Sequence, residues 1–224
     1  MRILSNTAVL LGKELQTEFR SRELLTTTIV FILIVIVLFS FTFDPSVSES
    51  RRFGPGLLWL AFLFSASLML QPCFLKEKTN DTLSALRLCV ADPFAIFLAK
   101  LLANACLLLL VQLLLLPIFA VFYNIKVGAV FPQLAMVFLF GSLGVSVTGT
   151  ALSAISAQVR MRELMLPLLL LPLLVPILIS STEATAALLE EKPTLRLDWL
   201  GILIAFDVVF LTALWLFGEY LLEE

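Results

Sequence analysis

The chain has 224 residues, of which 60% are hydrophobic and 14% charged, with a net charge of −2 and a mean hydropathy of +1.05. A soluble domain of this size could not cover so much apolar surface, so the composition points to a polytopic membrane protein. Dispersed basic residues argue against a nucleic-acid partner, and the absence of histidine removes the commonest haem and zinc ligand and the usual general base.

Residues 1–23 place Leu4, Ala8, Leu11, Leu15 and Phe19 on one helical stripe, with Lys13, Glu14, Gln16, Thr17 and Arg20 elsewhere on the wheel. This predicts a helix lying in the membrane interface rather than a secretion signal. Residues 24–43 are free of charge and long enough to cross about 30 Å of hydrocarbon. The linker 44–55, with Asp44-Pro45, Arg51, Arg52 and Pro55, reads as a compact turn region. A second span follows at 56–75, a third at 101–123 containing Gln112 and Pro117, and a fourth at 132–157.

The fourth span differs from the others. Gly141, Gly144, Gly149 and Ser142, Ser146, Ser153, Ser156 make it rich in small residues, which allow helices to approach closely. The fifth, 164–181, carries Pro167, Pro172 and Pro176, which predicts a kink or carbonyls offered to neighbouring helices. Residues 182–198 read as a short interfacial helix ended by Pro193, and 199–217 as the sixth span, before an acidic tail. The fold class is therefore all-α: six transmembrane helices in a single transmembrane domain over 1–224, preceded by an interfacial helix. Six spans put both termini on one side. Ten of the 15 Lys and Arg fall in the N-terminal segment, the 76–100 loop and the 160–162 turn, so the positive-inside rule places those in the cytoplasm.

Segment 76–100 is the most informative. Four basic and three acidic residues interrupt sequence that is otherwise compatible with hydrocarbon, and each charge at the midplane would cost about 2.5–3.5 kcal/mol. Asp81 can cap a short cytoplasmic helix with Leu83, Leu86 and Val90 on one stripe. Asp92-Pro93 then restarts the chain as a helix.

Glu77, Thr82, Leu83, Leu86, Pro93 and Lys100 have the spacing E-x4-T-L-x2-L-x6-P-x6-K. It resembles the cytoplasmic coupling loop between spans two and three of ABC-2-type exporter permeases. The flanking text in 56–104, and LLPLLVPILI in the fifth span, narrow the resemblance to the haem exporter protein B (CcmB) family. That family is the permease subunit of the cytochrome c maturation ABC complex. Asp81 departs from the glycine usual before the Thr-Leu pair.

The resemblance implies a non-catalytic permease in the bacterial inner membrane, with ATP hydrolysed by a separate CcmA-like ATPase. It implies CcmC-like and CcmD-like membrane partners, a CcmE-like haem chaperone, and two copies or one copy with a related subunit. Haem is then a transported or handled ligand, carried by the permease or released with the chaperone, not a stably bound cofactor. Contacts to the ATPase would come from Glu77, Thr82, Leu83, Leu86, Arg87, Pro93 and Lys100, joined by Arg160, Arg162 and Glu163 at the next charged turn. The alternatives are an exporter for a lipid, glycan or drug, and a non-transporting membrane scaffold.

Catalytic signatures do not compete with this reading. GxxxxGK[ST], HExxH and GxSxG are absent. Cys73, Cys89 and Cys106 are irregularly spaced and form no CxxC, so they imply neither a disulfide nor a metal set and read as small buried hydrophobes. Asp207 is the one charge deep in an expected span: either a functional carboxyl, or a neutral or hydrogen-bonded one facing a neighbouring helix.

Overall fold

The computed structural model describes residues 2–21, 23–42, 47–71, 73–74, 93–123, 127–157, 162–190 and 192–217. Regular structure among them is entirely helical: α1 (Arg2–Ser21), α2 (Glu23–Thr42), α3 (Val47–Leu70), α4 (Pro93–Phe122), a 3-10 turn at Gly128–Val130, α5 (Phe131–Ala157), α6 (Arg162–Leu189) and α7 (Leu197–Phe217). Helices α2 to α7 are each long and apolar enough to cross a membrane. Long apolar helices satisfy nearly all of their own backbone groups, as a bilayer requires.

Three boundaries differ from the sequence reading. Residues 47–55 are not a turn region; they form the first turns of α3, with Pro55 inside the helix. Residues 182–189 are not a separate interfacial helix, because α6 continues to Leu189. The reason is packing: Ser181, Ala184, Thr185 and Leu188 are buried along its inner face. The third span begins before residue 101: the helix expected to restart at Pro93 does so, and it runs on unbroken as α4. Pro172 and Pro176 lie on the exposed side of α6, which runs through them without a break.

Helix α5 is the centre of the bundle, touching α3, α4, α6 and α7. Two of its faces do different work. Ser146 and Thr150, one turn apart, meet α4: Ser146 Oγ donates to Leu101 O at 2.7 Å, and Thr150 Oγ1 accepts from Asn104 Nδ2 at 3.0 Å. The glycines meet the other helices. A methyl group on Gly141 would collide with the Trp59 ring of α3, and one on Gly149 with Leu70. On Gly144 it would lie 2.6 Å from Asp207 Oδ1 and 2.7 Å from Ile177 Cδ1. These glycines are packing surfaces.

The apolar core runs along this centre. Trp59 is 1% exposed, packs edge-on against Phe62 and Phe138, and donates Nε1–H to Thr185 Oγ1 of α6 at 2.9 Å. The outward faces are also apolar. Val30, Ile34, Leu38 and Phe41 line one exposed side of α2, and Leu168, Leu171, Val175 and Ile179 one side of α6, as lipid contact requires.

Two alanine substitutions test the glycine assignment. Gly144→Ala should lower stability by about 1–3 kcal/mol through overpacking. Gly12→Ala, at a helical site with nothing within 4 Å, should raise it by about 0.5–1 kcal/mol. Thermal unfolding of the purified variants checks both signs.

Candidate functional site: a buried lysine joint and an intramembrane carboxyl

Lys100 and Asp207 are the buried charged side chains among the described residues, each 3% exposed. Lys100 sits two turns into α4, at the end of the bundle where segment 75–92 leaves and returns. Its Nζ donates to Cys73 O at 2.8 Å and lies 3.4 Å from Glu14 Oε2 of α1. It also sits over the Phe74 ring, 5.3 Å from the centroid. One ammonium thus ties α1, the end of the α3 limb and α4 together.

A second layer holds that joint in place. Asn104, one turn further along α4, donates Nδ2–H to Cys73 Sγ at 3.1 Å as well as to Thr150. Phe74 and Phe97 pack 5.6 Å apart in a cluster with Leu101, Val147, Ala154 and Leu214. Removing one partner of a buried ion pair typically costs about 3–5 kcal/mol, so the pairing contributes to holding α1 against α4.

The buried face of α1 matches the expected stripe only in part. Leu15 packs on the core and Leu11 is half-buried, while Thr7 is buried, Glu14 is partly buried and Leu10 packs on Ala95 and Ile96; Ala8 is exposed and Phe19 is 46% exposed. The helix turns toward α4 because a protein partner, unlike lipid, can neutralise Glu14. Burial pushes the Glu14 carboxyl up, but Lys100 and Lys13 outweigh it and leave it below the ordinary glutamate value. A depressed carboxylate stabilises the fold above that ordinary value and loses its contribution as pH falls through the lowered one. Acidification below the ordinary glutamate range should therefore release α1 from α4, and a Glu14→Gln variant should lack this transition. Cross-linking yield between cysteines placed on the two helices would report it.

Asp207 lies mid-way along α7, against Gly144 of α5 and Ile177 of α6. Neither carboxyl oxygen has a hydrogen-bond partner, and Gln112, fully buried in α4, likewise has both amide atoms unpartnered. The sequence reading allowed a functional carboxyl, or a neutral or hydrogen-bonded one facing a neighbouring helix. The carboxyl does face neighbouring helices, and it has no hydrogen bond there.

The other sequence-predicted positions divide. Glu77, Thr82, Leu83, Leu86, Arg87 and Arg160 lie outside the described residues; Pro93 opens α4, and Arg162 and Glu163 open α6. Glu14, Cys73, Phe74, Asn104 and Thr150 were not foreseen as a set, and only Glu14's place off the apolar stripe hinted at it. Of the cysteines, Cys73 is half-buried and accepts the Asn104 bond. Cys106 corrects the expectation of burial: it is exposed on the outer side of α4, where a thiol is apolar enough to face lipid. Cys89 lies outside the described residues.

Six helices long and apolar enough to cross a membrane, packed around a small-residue centre, define a multi-pass membrane protein. Heme exporter protein B of Pseudomonas aeruginosa is 30% identical over 88% of this chain and 89% of its own length. The protein of the same name from Rhodobacter capsulatus is 31% identical over 78% of the chain and 79% of its own length. That from Haemophilus influenzae is 29% identical over 80% of each. The model of the CcmB protein family matches residues 5–217, and the chain belongs to that family.

Proposed function

We propose that this chain is the permease subunit of a haem-export ABC complex serving cytochrome c maturation in the bacterial inner membrane. Family membership over residues 5–217, shared with relatives named Heme exporter protein B, carries this reading. Both termini and segment 76–100 lie in the cytoplasm, because the basic residues concentrate on that side. The bias survives without Lys100, whose ammonium is buried.

Energy reaches the permease from a CcmA-like ATPase. The helix from Thr82 seats in a cleft of that partner with Leu83 and Leu86 as apolar anchors, and Glu77, Arg87, Arg160, Arg162 and Glu163 supply charged contacts at its rim. Lys100 has a different part from the rest. At 3% exposure it acts inside the chain as a positioning residue that fixes α4 to α1 and to Cys73. Movement of the loop then passes through Pro93 and Lys100 into α4, and through the α4–α5 hydrogen bonds into the centre of the bundle.

Haem is cargo in this reading. With no histidine, the chain offers no imidazole to hold the iron, which favours driving release of a haem-loaded, CcmE-like chaperone over stable axial binding. CcmC-like and CcmD-like proteins complete the complex, with two copies of this chain or one copy paired with a related subunit. The test is affinity purification from native membranes in mild detergent, followed by mass spectrometry. A P-loop ATPase arriving with haem-handling proteins supports the assignment. An ATPase alone would leave an exporter for some other substrate, and no ATPase would leave a scaffold.

A further inference from the structure

We propose that Asp207 is a proton-binding site, held as the neutral acid in the seam between α5, α6 and α7, and that the bound proton keeps α7 seated against Gly144. The carboxyl is 97% buried by its 3% exposure, lies mid-way along a helix that crosses the membrane, and has neither oxygen hydrogen-bonded. An ionised carboxylate left in that condition is strongly disfavoured. Something must neutralise it, and the neighbouring helices narrow the choice.

Charged groups do not supply the answer. Residues 131–157 of α5 contain no acidic or basic residue. On α6 the charged positions are Arg162 and Glu163 in its first turn, about four turns from Ile177, and Glu183, which is exposed. The other charge of α7 is Asp198, exposed in its first turn. Helix α4, which meets the far end of α7 through Leu214, carries Lys100, already engaged by Glu14 and Cys73 O.

A metal ion is poorly served here. A hard cation needs several oxygen ligands around it, and among the described residues no group of three acidic, histidine or cysteine side chains comes together to hold one. A proton needs no such set. Hydroxyls suited to the resulting acid are close in register: Thr148 is one turn from Gly144 on the same face of α5, and Ser181 one turn from Ile177 on α6. Both are buried with unpartnered oxygens.

The experiment is infrared difference spectroscopy of the purified complex in lipid nanodiscs, titrated from neutral to alkaline pH. A protonated-carboxyl band should be present at neutral pH, disappear at alkaline pH, and be missing altogether in Asp207→Asn. Labelling the wild-type complex with carboxyl-13C aspartate should shift the same band, which identifies an aspartic acid even if the variant assembles poorly. Because the folded seam holds a proton that the unfolded chain gives up, the melting temperature of the wild type should fall as pH rises. The Asp207→Asn complex should show a flatter profile. A neutral-pH spectrum in which aspartate labelling moves only ionised-carboxylate bands would overturn the proposal, as would equal pH dependence of melting in the two proteins.

Discussion

Leu83→Asp combined with Leu86→Asp should leave the chain inserted in the membrane and remove its ATPase. Both leucines fall on one helical stripe of the sequence, three positions apart, and in the proposed coupling helix they are the side chains a hydrophobic cleft would take. Anchors of this kind contribute about 2 kcal/mol or more each. Losing two, and burying a carboxylate in place of each, should weaken association by about a thousandfold or more. Insertion should be unaffected, since the spans on either side are set by their own hydropathy. Co-purification of the ATPase with the double variant, at matched membrane levels, is the measurement. Undiminished recovery would sink the coupling assignment. Scrambling 76–92 with its charges retained separates a specific surface from a merely solvated one, because only the former loses the partner.

The second large effect is expected at the lysine joint. Glu14→Ala removes the carboxylate that faces an ammonium only 3% exposed, at a cost of about 3 kcal/mol. Lys100→Met should cost less, about 2 kcal/mol. The side chain of Glu14 is 18% exposed, so water and Lys13 can still solvate it, and the main loss is the donor to Cys73 O. The double variant should cost clearly less than the two single changes combined, because it strands no charge. Thermal unfolding of the four proteins gives the cycle. In the assembled complex either single change should also separate ATP hydrolysis from haem delivery, since α1 and α4 would no longer move as one body.

These expectations show which parts of the structure hydropathy carries and which it does not. The six spans follow from composition, since a bilayer accepts little else than long apolar helices. Their ends do not. Pro55 suggested a break, yet α3 starts two turns before it and runs through it at the loss of one interior backbone bond. Glu183 suggested an exit from the membrane, yet it sits on the exposed side of α6 while Thr185, two positions on, is drawn inward by the Trp59 indole.

The joint was harder still to foresee. A helical wheel for α1 sorts residues by polarity and so assigns Glu14 outward. What reverses it is a lysine far along the chain, and pairings of that range leave no periodic trace. Asp207 is the opposite case. A lone acid in an apolar span was visible at once, but its contact with Gly144 needed the helices brought together.

The Trp59–Thr185 hydrogen bond also bears on how the chain is assembled. Its partners are 126 positions apart, on the second and fifth spans. The bonds between α4 and α5, by contrast, join consecutive helices that can enter the bilayer as a hairpin. Until the fifth span arrives, the Trp59 indole N–H has no partner from α6. An unpaired donor is costly in hydrocarbon, so the newly made second span is expected to wait at the insertion machinery or near the membrane surface. Biogenesis would then have a late closing step, and chains cut short before residue 185 should be recovered as substrates of membrane proteases rather than as partly built bundles.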